Sequence, residues 1–495
     1  MRKATGKTGR IFYATISFVM TTPTDGHTEA ESYIPPAKTS GQIARSALLL
    51  RMAGSPLMPF ATLSAVGLPD GIPWANRFAL LNALSWSIVL GTPLFLYAKN
   101  LGADDAALGF LAALPPLLAV LHIPGNHLIP RLGYRRMLIF GWGSRTAVIF
   151  LLALVPFALP SNHLRLVGLF VCIMTFSTLR GLAGGAWMPW VTSLIPPDVR
   201  GKFFLRDQLY GQTGNLLAIF AATIILLGHP QRWQFSLAFL FAGLGGLASV
   251  LCLLPLPDMS TPEHHAEAGW RVPLLVMLAQ RRFRQLCLFN IAYMLVLGGL
   301  AVFTVAFLRG VEGFSQSAIV LLSGMSVLGG ILSLFWCGAV IDRIGSRPII
   351  RASLIALILV FSAWWAVAAG IAPLSPLLLG AVYLLSGVAG LNFAAANNRL
   401  QSLNIPKTGR NHHFAVLLVA LNVAAGISPL LWGFILELIG NHTVKTGLIQ
   451  WNRYSIFFGC GALFLLPILL MGRKLVHHPP ATPAAVPTET DHDPI

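Results

Sequence analysis

Charge is what this sequence has least of. Only 10% of its 495 residues are Asp, Glu, Lys or Arg, where a soluble domain carries about a quarter. That deficit excludes a water-soluble globule of this size, because too little charge exists to coat it. Acids are the scarcer kind, 17 against 34 Lys and Arg. The five cysteines (Cys172, Cys252, Cys287, Cys337 and Cys460) fall in apolar stretches without metal-ligand spacing. This excludes a zinc site and a disulfide framework and leaves soft apolar packing. No serine elbow, phosphate loop or paired-carboxylate motif occurs, so the usual signs of a membrane-embedded enzyme or of ATP hydrolysis are missing. The run from Glu263 to Glu267, "EHHAE", lacks helical His spacing and implies no metal.

What fills the chain instead is apolar sequence, with 55% hydrophobic residues. Backbone amides in lipid must be satisfied within their own segment, so apolar runs of this length are helices. Twelve spans are expected, near 77–98, 106–127, 137–159, 165–189, 209–228, 235–256, 285–308, 317–340, 349–371, 376–402, 414–438 and 454–472. Each can cross ~30 Å of hydrocarbon at ~1.5 Å per residue. The fold class is therefore an all-α polytopic membrane protein with 12 transmembrane helices.

The longest internal gap divides the spans six and six. Expected divisions are a tail at 1–73, a six-helix bundle at 74–257, a central loop with a surface helix at 258–283, a second bundle at 284–474 and a tail at 475–495. The first 73 residues begin like a signal sequence, but their apolar run is too short to span; a disordered cytoplasmic tail or a misplaced start is expected. The last 21 read as disordered.

The formal charge of +17 would suggest nucleic acid in a soluble protein. Here, alternate loops receive Lys and Arg unequally, nineteen against six, with Arg145 and Arg399 counted on the richer side. This is the positive-inside bias, and it assigns the richer loops and both termini to the cytoplasm, with no nucleic-acid partner.

Two of the richer loops are near copies. "RLGYRR" (Arg131 to Arg136) and "RIGSRP" (Arg343 to Pro348) share Arg-x-Gly-x-Arg at an offset of 212. "PPDVRGKFF" and "PKTGRNHHF" repeat at 210, matching Arg200 with Arg410. A nearly constant offset in two loops points to duplicated, pseudo-symmetric six-helix halves, an arrangement that places a substrate site at their interface.

The loop Gly338-x-x-x-Asp342-Arg343-x-Gly345-x-Arg347 resembles the signature of the major facilitator superfamily, and the resemblance extends over residues 74–474. "AWMPWVTSLIPPDVRGKFF" resembles a bacterial subgroup of that superfamily, which identifies relatives and not cargo. The resemblance implies rocker-switch alternating access in a bacterial inner membrane, and a cytoplasmic gate. The gate residues are Asp342, Arg343, Gly345 and Arg347, with Arg131, Gly133, Arg135, Arg136, Arg200 and Arg410. In the first copy Pro130 stands where the acid belongs and Asn126 where the leading glycine belongs, so the latch is expected to be one-sided. Loop basicity serving topology alone is the competing reading for Arg131, Arg135 and Arg136.

Within the spans, Arg180 is costly unless it meets a wet cavity or a partner. It either binds an anionic solute or snorkels toward headgroups and caps carbonyls. "RGLAGGA" resembles the fourth span of proton-coupled drug antiporters, but the fifth span lacks their Gly-Pro signature, which demotes drug export. Polar residues at the same depth, on the helices that line the cavity in this superfamily, are Asn82, Trp86, Asn290, Tyr293 and Asn392. His122 is the protonatable candidate, with a packed histidine as its alternative.

The expected function is a secondary transporter or facilitator of a small solute, without cofactor or metal, monomeric, with lipid and a coupling ion as the other partners. The alternatives are a superfamily-like protein retired to sensing or lipid handling and, further off, a membrane-embedded enzyme.

Overall fold

A computed structural model describes residues 72–126, 128–195, 200–258, 274–310, 314–405, 410–473 and 475. The expected tails lie outside the described residues save 72, 73 and 475. Of the central loop, residue 258 and residues 274–283 are described.

The chain is helical, with one small hairpin. The first span is α1 (Ile72–Val89) and α2 (Thr92–Asn100), and the second is α3 (Asp105–Leu118), a 3-10 turn at Ala119–Leu121 and α4 (His122–Asn126). After α5 (Ile129–Leu132) come α6 (Tyr134–Ala158), α7 (Asn162–Gly184), its continuation α8 (Trp187–Leu194), α9 (Arg200–Ile225) and α10 (Arg232–Leu253). The surface helix expected in the central loop is only α11 (Leu274–Ala279). The second half holds α12 (Arg281–Leu297), α13 (Leu300–Gly310), α14 (Gln316–Ile344), α15 (Ser346–Ala368), α16 (Pro376–Asn404), α17 (Arg410–Ile439) and α18 (Arg453–Met471). Strands β1 (Val444–Thr446) and β2 (Ile449–Trp451) form an antiparallel hairpin before α18.

Helix starts follow local chemistry. Ser161 and Ser375 accept hydrogen bonds from the backbone N–H groups of Leu164 and Leu378, and Pro376 opens α16 where its missing N–H costs nothing. Asn452 and Ser455 form a reciprocal cap on α18. The two repeated loops turn on Gly133 (φ 76°, ψ 159°) and Gly345 (φ 81°, ψ 177°), a backbone region essentially reserved for glycine.

Eleven helices among the described residues are long and apolar enough to cross a membrane, where twelve spans were expected. The one that falls short is the expected fifth span, α9. Its first half carries Arg206, Asp207, Gln208, Gln212 and Asn215, which lower its apolarity although its length suffices.

Packing repeats with a period of six spans. In the first half α1 packs on α9 and α10, α6 on α7 and α10, and α3 on α7. In the second half α12 packs on α17 and α18, α15 on α16 and α18, and α14 on α16. Even the breaks recur, at Leu90–Gly91 between α1 and α2 and at Gly298–Gly299 between α12 and α13. Between the halves, α3 lies on α17, α9 on α14 and α2 on α13. The α2–α13 contact sits at the end of the molecule opposite the Arg-Gly-Arg loops. These two ends are called the loop face and the far face.

Candidate functional site

Arg180 lies on α7 in the series Arg165, Leu169, Ile173, Phe176, Arg180, spaced by four, four, three and four. The first four are buried, and Arg180 alone is exposed. The opposite side of α7 presents Leu164, Val167, Val171 and Met174, all exposed, which is the lipid-facing stripe. Arg180 therefore points into the bundle, and its exposure is to an opening between helices. Among the described residues it has no hydrogen-bond or ion-pair partner.

A second arginine stands behind it. Arg145, counted with the loop cations on sequence, lies instead in the middle of α6 and is only 2% exposed. Its guanidinium donates to Asn82 Oδ1, and Trp142 Nε1 donates to the same oxygen at 3.1 Å. The cation sits 4.7 Å from the Trp142 ring centroid and 5.3 Å from that of Phe176. Two aromatic faces and an amide oxygen thus replace water around a charge that lipid would exclude. Arg145 and Arg180 repel each other, and neither has a carboxylate partner among the described residues. His122 is within electrostatic reach of Arg180 and packs on Gly184, where a Cβ would strike its imidazole.

The other sequence-predicted residues divide by half. Asn82 and the exposed Trp86, one turn apart, share one side of α1, and Asn82 joins Arg145. Asn290 is the repeat counterpart of Asn82 at an offset of 208, and it is fully buried. Its Nδ2 donates to the Leu286 carbonyl at 2.9 Å, and its Oδ1 accepts from Asn397 Nδ2 at 2.6 Å. Tyr293 is 7% exposed and stacks on Phe393, centroids 3.7 Å apart. These two side chains lie behind the wall of the second half. Asn392 is half-buried, with a side-chain oxygen that has no partner.

At the far face the structure adds a group that sequence reasoning missed. Asp105, the first residue of α3, is fully buried. Tyr454 Oη donates to it, 3.1 Å from each oxygen, Arg453 Nη1 lies at 3.1 Å and Lys99 Nζ at 3.4 Å. Because Lys99 lies in the last turn of α2 and Arg453 and Tyr454 open α18, this cluster ties the two halves together. Close by, Asn100 Oδ1 accepts from Gln316 Nε2 at 2.8 Å and from Arg309 Nη2 at 3.5 Å.

At the loop face, Arg135 donates to the carbonyl of Leu254 and Arg347 to that of Arg473, at 3.3 Å for the latter. Each acceptor lies just past the last helix of its own half, where unpaired carbonyls and the helix dipole favour a cation. Arg131 and Arg136 are exposed. The side chains of Asp342, Arg343, Arg200 and Arg410 lie outside the described residues.

The family model of the Major Facilitator Superfamily matches residues 78–403 and 313–495. A solved nucleoside transporter, NupG, is 14% identical over 81% of this chain and 99% of its own, with a TM-score of 0.60. The inward-open xylose transporter XylE from E. coli is 16% identical over 83% and 96%, at 0.62. A bacterial metal transporter is 15% identical over 83% and 99%, at 0.58. Comparison with curated proteins finds no match. At such identities the solved structures establish the fold, and the family match covers both halves of the chain. With twin bundles packed on one plan and an arginine turned into the space between helices, the chain belongs to the Major Facilitator Superfamily and is a secondary transporter of small solutes.

Proposed function

We propose that the transported solute carries an anionic group and that Arg180 receives it. The observation behind this reading is the unpartnered guanidinium of Arg180, exposed on the otherwise buried side of α7. A charge within a span is stable only against water or a counter-charge, and Arg145 adds to the positive field there. A carboxylate or phosphate docking on Arg180 relieves that repulsion and gains a charge-assisted hydrogen bond. Trp86 and Asn82 supply an apolar plate and a polar edge beside it, and His122 braces the helix that carries Arg180.

The loop face is cytoplasmic in this reading. With Arg145 moved to the interior, eighteen Lys and Arg remain on that side against six on the other. The halves are clasped at the far face by Asp105 and Asn100, so this conformation opens toward the cytoplasm. Rocking about α3–α17 and α9–α14 exchanges it for the outward-open one. A monomer of this chain suffices, in a bacterial inner membrane.

The test is a thermal-stabilisation screen of purified protein with organic acids, sugar phosphates, amino acids, neutral sugars and nucleosides, followed by uptake of the labelled hit into proteoliposomes. Anionic solutes are expected to stabilise and to be accumulated, and Arg180→Ala is expected to abolish the accumulation. Uptake of a neutral solute that survives Arg180→Ala overturns the anionic reading.

A further inference from the structure

The far face is the cation-poor end of the molecule, with six Lys or Arg: Lys99, Arg165, Arg232, Arg309, Lys445 and Arg453. They are not scattered. Lys99, Arg232 and Arg309 line one pocket of about 650 Å³. Arg165 supports its wall by donating to Asn162 Oδ1 at 2.9 Å. Arg453 is joined to Lys99 through Asp105. Five of six cations therefore collect at or beside a single opening, against their mutual repulsion.

Among the described residues, no Asp or Glu lines this pocket. Asp105 is fully buried and already shared by Lys99, Arg453 and Tyr454. Arg232 and Arg309 have no carboxylate partner among the described residues. The walls also hold polar atoms without partners. Tyr97, 2% exposed, has a hydroxyl with none, and Gln316, 3% exposed, donates to Asn100 while its Oε1 has none. A buried hydroxyl left unbonded is unfavourable, so the Tyr97 hydroxyl is a donor held ready for an acceptor.

We infer that this pocket is an oxyanion site, distinct from the Arg180 opening, which takes a small solute or headgroup bearing carboxylate or phosphate groups. Arg232 and Arg309 provide forked donors suited to such groups. Lys99 adds a point charge, and the Tyr97 hydroxyl adds a neutral donor. Because Lys99, Asn100 and Arg232 belong to the first half and Arg309 and Gln316 to the second, an anion held there bridges the seam. Occupancy favours the conformation closed at the far face.

The site is tested by binding to the purified full-length protein, with inorganic phosphate and citrate as soluble probes in neutral detergent. A lipid arm compares phosphatidylcholine nanodiscs with and without phosphatidylglycerol. Thermal stabilisation by a soluble probe, or by the anionic lipid, is expected, weakening with added salt. The double variant Arg232→Gln/Arg309→Gln should weaken the responding probe by at least about tenfold in Kd. Arg309→Lys, which keeps the charge, should restore most of it in the Arg232 background, and Arg180→Ala should leave it unchanged. The arm that responds identifies the source of the oxyanion. The inference is overturned if neither arm stabilises, or if the stabilisation is lost in Arg180→Ala and kept in the double variant, which would locate the anion in the central opening.

Discussion

Asp105 carries more of the far-face closure than any other single side chain. Its two oxygens hold a lysine, an arginine and a tyrosine hydroxyl drawn from two spans, one in each half. Asp105→Asn leaves two cations facing each other without a counter-ion. It is expected to cost about 3 kcal/mol in reversible unfolding and to raise labelling of a far-face reporter cysteine. Tyr454→Phe removes one hydroxyl only and should cost about 1 kcal/mol by the same measurement. Neither role was legible in the sequence, because Asp105 stands one position outside the apolar run that defines its span. Arg145 was misplaced for a related reason. Arg135 and Arg136 lie just upstream, and nothing linear shows that Trp142 and Phe176 wrap the third arginine in aromatic faces. Arg180 was readable because an isolated charge within a long apolar stretch has few structural explanations.

Among the elements, the repeated loops gain a role from the two arginine contacts at the ends of α10 and α18. Each fastens the turn after a half's second span to the terminus of its sixth. Arg135→Ala and Arg347→Ala are each expected to lower stability by about 1 kcal/mol in detergent unfolding. Lying in different halves without shared partners, the two should add in the double variant. A latch that joined the halves would instead make them non-additive. Eleven of the twelve expected spans were legible from apolar length, and the φ of Gly133 and Gly345 follows from the repeated Arg-x-Gly-x-Arg. The breaks in α1 and α12 were not, since a glycine inside a membrane helix signals close packing as readily as a bend. The polarity of α9 is likewise a tertiary matter, because a helix that faces its own partners need not present an apolar surface all round.

For the whole molecule, duplication is the strongest regularity, visible first as an offset in two loops and then as five helix pairings that recur six spans later. Reporter fusions at residues 131–136 and 343–347 should therefore fall on one side of the membrane. Opposite sides would contradict a parallel repeat. The surroundings of the paired asparagines lack that symmetry. Asn82 reaches the opening with two arginines behind and beside it, whereas its counterpart Asn290 is sealed against Asn397. One half thus contributes the charge and the other a packed wall, a division that the matching asparagines in the sequence do not disclose.

Where α3 crosses α17 the halves meet backbone to backbone at Gly109 and Gly433. Gly433 lies so near that an added Cβ would come within 2.6 Å of the Asp105 carbonyl oxygen and 3.2 Å of the Gly109 Cα, and a Cβ on Gly109 would strike the Pro429 carbonyl. Gly109→Ala should consequently disfavour this conformation, read as slower transport and a loss of about 1–3 kcal/mol in unfolding stability. Interlocked leucines at such a crossing would have to disengage on every cycle. Two bare backbones form a smooth bearing, on which one bundle can tilt against the other with little to unpick, and that leaves the barrier to turnover to the ionic clasp at the rim.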